Sequence, residues 1–147
     1  MNESQAIPTR LSEIIEDFAL SEGREKLELL IEFSEKLPPL PDWLRKDHAR
    51  MDQVQECMTP VFIHSELSSG VLTFYFDVPP QSPTVRGFAA IMQESLNGAT
   101  PEQVLAVPAD FYQAMGLEQV LTHQRLNGIS AILAYMKRLA LNHKLAE

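Results

Sequence analysis

The chain has 147 residues, enough for one domain that buries roughly 70% of the surface its extended form would expose, so a core forms without disulfide or metal staples. Hydrophobic residues make up 45% and charged residues 22%; twenty acidic against twelve basic side chains give a net charge of −8, a poor match to a nucleic-acid backbone. The single cysteine, Cys57, excludes an internal disulfide, a multi-thiolate zinc or iron–sulfur site and CxxC redox chemistry.

The chain opens Met-Asn-Glu-Ser-Gln, without the basic stretch and apolar run of a signal peptide, and no apolar run approaches the ~18 residues of a membrane span. The expectation is a cytoplasmic protein with no membrane partner. Residues 1–57 hold thirteen acidic and seven basic side chains (net −6), and residues 58–147 hold seven and five (net −2). That asymmetry would suit a basic partner, although a solvated helix surface accounts for most of it.

Residues 1–9 are expected to be a flexible N-terminus of a single domain spanning 1–147. Apolar spacing through Leu11, Ile14, Ile15, Phe18 and Ala19 predicts a first helix, broken at Ser21-Glu22-Gly23. A second stripe runs through Leu27, Leu30, Ile31, Ser34 and Leu37 and stops at Pro38-Pro39. Residues 38–59 read as a long connection that carries the only tryptophan, Trp43, and ends at Cys57; connections of this length are uncommon unless functional or disordered. Trp43 suits a core anchor better than an exposed partner contact.

Strands follow at 61–66 and 71–78, joined through Ser68-Ser69-Gly70. In the second, Leu72, Phe74, Phe76 and Val78 alternate with Thr73, Tyr75 and Asp77, the pattern of an antiparallel strand buried on one face. A helix is predicted from Thr84 to Leu96, closed by Asn97-Gly98, and another starts at Thr100-Pro101-Glu102. Two short segments break at Pro108 and Gly116, and a last helix runs from about Gly128 to Leu145. The fold class is α+β, a small antiparallel sheet packed by helices.

Few residues suggest chemistry. Cys57 follows a polar run and precedes Met58-Thr59-Pro60, a loop setting that suits a reactive thiol, but a lone cysteine equally serves as a small buried hydrophobe. Its acidic neighbours Asp52 and Glu56 would raise a thiol pKa. His48, His64, His123 and His143 show no metal-binding spacing, so a Cys57–His dyad would have to be assembled by the fold. No glycine-rich phosphate loop is present. Arg125 lies in a charge-poor stretch just before the last helix, either as an ordinary surface arginine or as a functional cation.

An ordered set of segments nonetheless resembles the SufE family, the sulfur-acceptor proteins of iron–sulfur cluster assembly. They are Glu35-Lys36-Leu37-Pro38-Pro39-Leu40-Pro41, Val54-Gln55-Glu56-Cys57-Met58-Thr59-Pro60-Val61-Phe62, Ser82-Pro83-Thr84-Val85-Arg86-Gly87, Asp110-Phe111-Tyr112 with Gly116-Leu117, and Arg125-Leu126-Asn127-Gly128. The resemblance spans about residues 10–140. It departs from the common family pattern at Glu56, where glycine is usual, at Thr59 in place of serine and at Phe62 in place of tryptophan. The combination of Glu56, Pro60 and Phe62 is similar to an actinobacterial branch.

The resemblance implies a SufE/IscU-like fold and a sulfur carrier that is not itself an enzyme. Its partner would be a cysteine desulfurase that uses pyridoxal phosphate; the carrier would need no cofactor and no metal of its own. Cys57 would take persulfide sulfur from the desulfurase, stimulate it and relay the sulfur to an iron–sulfur scaffold. Family thiols are described as sheltered in an apolar pocket until the partner engages the loop. Glu56, Thr59 and Arg125 are the implied loop-supporting or partner-contacting residues, and the free protein would be a monomer or weak dimer. IscU-type scaffolds use three cysteines, so cluster assembly on this chain is disfavoured. Two other readings are a non-catalytic module that regulates a desulfurase and, less favoured, a single-cysteine thiol enzyme of the peroxidase kind.

Overall fold

The computed structural model describes residues 7–146. In chain order it contains α1 (Thr9–Leu20), α2 (Arg24–Lys36), α3 (Asp42–Arg45), a 3₁₀ turn at His48–Arg50, β1 (Asp52–Gln53), β2 (Phe62–Ser68) and β3 (Val71–Asp77). After these come α4 (Pro83–Leu96), α5 (Pro101–Leu105), α6 (Phe111–Ala114), a 3₁₀ turn at Leu117–Gln119 and α7 (His123–Ala146). Of the expected flexible N-terminus, residues 1–6 lie outside the described residues; Ile7 packs against the core and Thr9 opens α1.

The sheet is antiparallel in the order β1-β2-β3. Its hairpin is set by local chemistry. Ser68 pairs with Val71, leaving only Ser69-Gly70 to turn, both with positive φ (53° and 81°), as the primed two-residue turns of twisted hairpins require. The expected alternation holds: Leu72, Phe74, Phe76 and Val78 are all buried. Together with Ile63 of β2 they join one core with Phe88, Ile91, Met92 and Leu96 of α4 and Ile129, Ile132, Leu133 and Met136 of α7. The α+β class is therefore as expected.

The outer edge of β3 is covered along its first half. Leu72 exchanges backbone bonds with Gly98 and Ala99, both 2.8 Å, while Asn97 Oδ1 accepts from Phe74 N–H and Gln93 Nε2 donates to Phe74 C=O. The turn after α4 thus occupies positions that a fourth strand would otherwise take.

Four expectations need correction. The connection at 38–59 is not structureless: it holds α3, a 3₁₀ turn and β1, which pairs Asp52 with Ile63 and adds a third strand. Trp43 is not a core anchor. It is 42% exposed and lies edge-on to His64 and Tyr75 on the outer face of the sheet.

The inward face of α2 is rotated from the predicted stripe, with Lys26, Leu30, Phe33 and Ser34 buried and Ile31 exposed. Two contacts select that face. Phe33 stacks on Phe18 of α1, and Lys26 Nζ donates to the carbonyls of Phe18 and Met115, binding the carbonyl-rich ends of α1 and α6 with one ammonium. The fourth correction concerns α7, which starts at His123 rather than about Gly128, because Thr122 caps it: its Oγ1 accepts from Arg125 N–H at 3.3 Å.

Against α4, α2 approaches closely at Gly87. A Cβ there would lie 2.1 Å from the Leu30 carbonyl oxygen, so only glycine admits this spacing. The preceding Arg86 fastens the same junction, donating to the carbonyls of Ser34 and Val78.

Candidate functional site

Cys57 is presented by a loop closed at its base. Val54 N–H donates to Val61 C=O at 2.9 Å, and both side chains are fully buried, so the intervening segment leaves the core and returns at one point. Within it Gln55, Glu56, Met58 and Pro60 are exposed, whereas Cys57 points inward and is 7% exposed. A turn bond from Cys57 N–H to Val54 C=O, 3.3 Å, holds that inward orientation.

The loop lies along one stripe of α7, residues three and four apart. Met58 meets Gln124, whose Nε2 donates to the thioether sulfur. Cys57 meets Gly128, where an added Cβ would come 3.2 Å from Sγ. Glu56 lies beside Ala131, Tyr135 and Arg138. Gly128 thus supplies the space into which the thiol sinks.

Beside the thiol is a cleft of about 180 Å³ lined by Cys57, Met58, Thr59, Ser82, Val85, Thr122, Gln124, Arg125 and Gly128. Its wall carries three hydroxyls, those of Thr59, Ser82 and Thr122, and one cation. Thr59 Oγ1 donates to Ser82 Oγ at 3.4 Å, and Arg125 Nη1 donates to Thr84 Oγ1 at 2.6 Å. Among the described residues no carboxylate lies within ion-pair distance of Arg125. Arg125 stands in the first turn of α7 rather than before the helix, and its place there follows from the Thr122 cap.

Burial pushes the Cys57 thiol above the ordinary cysteine range, and the Thr59 backbone N–H, which favours the thiolate, offsets only part of this. Desolvation, not the acidic neighbours, is therefore the cause. Asp52 and Glu56 act instead on the Tyr135 hydroxyl, whose pKa rises mainly through burial and then through these two carboxylates. The structure brings Cys57, Thr59 and Arg125 to one cleft and directs Glu56 to the other side of the loop.

No histidine lines the cleft. His48 and His64 bond Asp77 and Glu66 at 2.9 and 3.1 Å, and His143 bonds Ser65 at 2.9 Å, so none assembles a dyad with the thiol. Sequence reasoning missed Ser82, Thr84 and Gln124 as members of the site and Gly128 as the residue against the thiol. The available signal was Thr122 three residues before Arg125, a helix-capping spacing masked by the Asn127-Gly128 pair that reads as a break.

Among the described residues no group of three or more His, Cys, Asp or Glu side chains is placed to hold a metal ion, and no helix is long and apolar enough to cross a membrane. The cleft brings together one buried thiol, the hydroxyls of Thr59, Ser82 and Thr122, and the Arg125 guanidinium.

Comparisons with known proteins agree on one relationship. The SufE family model, described as an Fe-S metabolism associated domain, matches residues 12–140. An uncharacterized SufE-like protein of Mycobacterium tuberculosis is 40% identical over 139 residues, covering 94% of this chain and 96% of its own length. The cysteine desulfuration protein SufE of Plasmodium vivax is 26% identical over 114 residues, covering 76% of this chain and 44% of its own. A solution structure of a hypothetical protein from Thermus thermophilus superposes with a TM-score of 0.81 at 34% identity, over 92% of this chain and 96% of that one. With the model matching well over half its length and a relative at this identity end to end, the chain belongs to the SufE family.

Proposed function

We propose that the protein accepts sulfur on Cys57 from the persulfide of a pyridoxal-phosphate cysteine desulfurase, stimulates that enzyme by resetting it, and passes the sulfur on to iron–sulfur cluster assembly. The observation that carries this reading is the setting of the only cysteine: inward-facing, almost fully buried, at the tip of a loop closed by Val54 and Val61, where burial raises the thiol pKa. Such a thiol reacts slowly in the free protein and becomes a ready nucleophile when the loop is moved. A carrier that must not lose sulfur to solvent requires that property.

The step is a thiol–persulfide exchange. As the loop leaves Gly128, Cys57 passes its proton to solvent water, and the thiolate attacks the outer sulfur of the desulfurase persulfide. A new S–S bond forms at Cys57 Sγ, the desulfurase S–S bond breaks, and the desulfurase cysteine departs as a thiolate. One sulfane sulfur changes hands without net oxidation. Thr59 and Arg125 stand at the mouth of the cleft, where the hydroxyl and guanidinium would face the incoming sulfur or the partner. Glu56, on the far side of the loop, would contact the partner rather than the thiol. A peroxidase-like role is disfavoured because it needs a lowered thiol pKa, and burial raises this one.

Intact mass after incubation with a charged desulfurase and cysteine, without reductant, tests the proposal. Wild type is expected to gain sulfur and Cys57→Ser to gain none. An unmodified wild type beside a desulfurase shown to carry its persulfide would overturn the relay. A Cys57→Ser protein that stimulates as well as wild type would instead mark the chain as a regulatory module.

A further inference from the structure

Exchange between two sulfurs requires them to touch, so whatever delivers sulfur to Cys57 must also cover the residues beside it. The next residue, Met58, is 81% exposed, the largest exposure of any large apolar side chain among the described residues. The others that stand out, Leu20, Ile31, Trp43, Leu141 and Leu145, belong to helices and lie outside the thiol loop and its cleft. Around Met58 the surface is polar: Gln55, Glu56, Gln124 and Arg125 are all exposed. One apolar knob within a polar rim is the arrangement of an interface anchor.

We infer that Met58 is the docking anchor of the thiol loop, seating in an apolar recess next to the donor's persulfide; this rests on the sulfur-relay reading above. Among the described residues one polar group meets its sulfur, the Gln124 amide, a neutral donor to a weak acceptor. A recess that buries the thioether therefore competes easily with that contact. Because Met58 and Cys57 are consecutive, drawing the first outward displaces the second from Gly128. The unbranched, polarizable side chain can fit a recess without an exact shape match.

The test is sulfur transfer from a charged cysteine desulfurase, measured against acceptor concentration. For Met58→Ala the half-saturating concentration is expected to rise about tenfold, the effect of losing one buried methionine side chain. Met58→Leu, equally apolar, is expected to restore it to within about threefold. Thermal unfolding should match wild type, since the side chain is exposed, and Cys57 of the Ala variant should still gain sulfur at high acceptor concentration. A half-saturating concentration within twofold of wild type for Met58→Ala, or a Leu variant as weak as the Ala variant, would overturn the anchor. Failure of wild type itself to gain sulfur would overturn the relay, so the two outcomes are distinct.

Discussion

Gly87 and Gly128 both lie on helices where another part of the chain comes close, yet they face different kinds of neighbour. An added Cβ at Gly87 would meet the Leu30 backbone oxygen at 2.1 Å, a partner fixed by the hydrogen bonds of α2. At Gly128 it would meet Cys57 Sγ at 3.2 Å, a side chain at the end of a loop. The first contact cannot give without separating two helices; the second gives by a small movement of one sulfur. One residue type thus builds a rigid scaffold at one place and an adjustable seat for the reactive atom at the other.

The largest expected effect tests the rigid contact. Gly87→Ala should destabilise the protein by about 3 kcal/mol or more, because overpacking against backbone has no side-chain escape, and urea unfolding will read it directly. A loss below about 1 kcal/mol would show that the α2–α4 contact is no tighter than the thiol seat.

Next is the other fixed junction. Lys26→Met leaves the Phe18 and Met115 carbonyls without their ammonium donor and should cost about 2 kcal/mol, again by urea unfolding, while the alkylation rate of Cys57 stays at the wild-type value. A change in that rate would mean that scaffold and thiol loop are mechanically coupled.

The smallest effect on stability, and the most informative for the site, belongs to Gly128→Ala. The gain in helix propensity, about 1 kcal/mol, offsets the crowding, so the unfolding midpoint should hardly move. Iodoacetamide should nevertheless label Cys57 about threefold faster at pH 8, because the sulfur is pushed toward solvent. The sign with pH follows from burial. A raised thiol pKa delays thiolate formation, so wild-type labelling should continue to climb beyond pH ~8.5, and the variant's curve should shift to lower pH. Identical pH curves for the two proteins would show that Gly128 does not set the thiol's environment.

The parts of the fold legible in the sequence are those governed by near neighbours. The β3 alternation is a two-residue period, and the Thr100 start closes into a capping box with Gln103. The Cys57 loop stands out because prolines and polar residues exclude it from any helical stripe. What is not legible depends on distant partners. Lys26 stands outside the predicted stripe because its partners, the Phe18 and Met115 carbonyls, are distant in sequence, and Ile31 reads as core until Phe33 and Lys26 claim that face of α2. Trp43 suggests a core because of its size, yet sheet residues His64 and Tyr75 give it an outer surface to lie on. At the site, Thr59 and Arg125 could be named from motif resemblance alone. Their meeting with Ser82 and Thr84 needs the loop, the start of α4 and the start of α7 to converge, and no local pattern encodes that.

The covered half of the β3 edge limits how this protein can be recognised there. Leu72 and Phe74 are already bonded to the turn at 97–99 and to Gln93, so the first half of that edge is taken, whereas at the opposite edge β1 covers only Phe62 and Ile63 of β2. Strand addition, which reads a partner mainly through its main chain, has no template along Leu72–Phe74. Recognition along that stretch is left to side chains, and a surface read by side chains can be retuned one substitution at a time without disturbing the sheet beneath it.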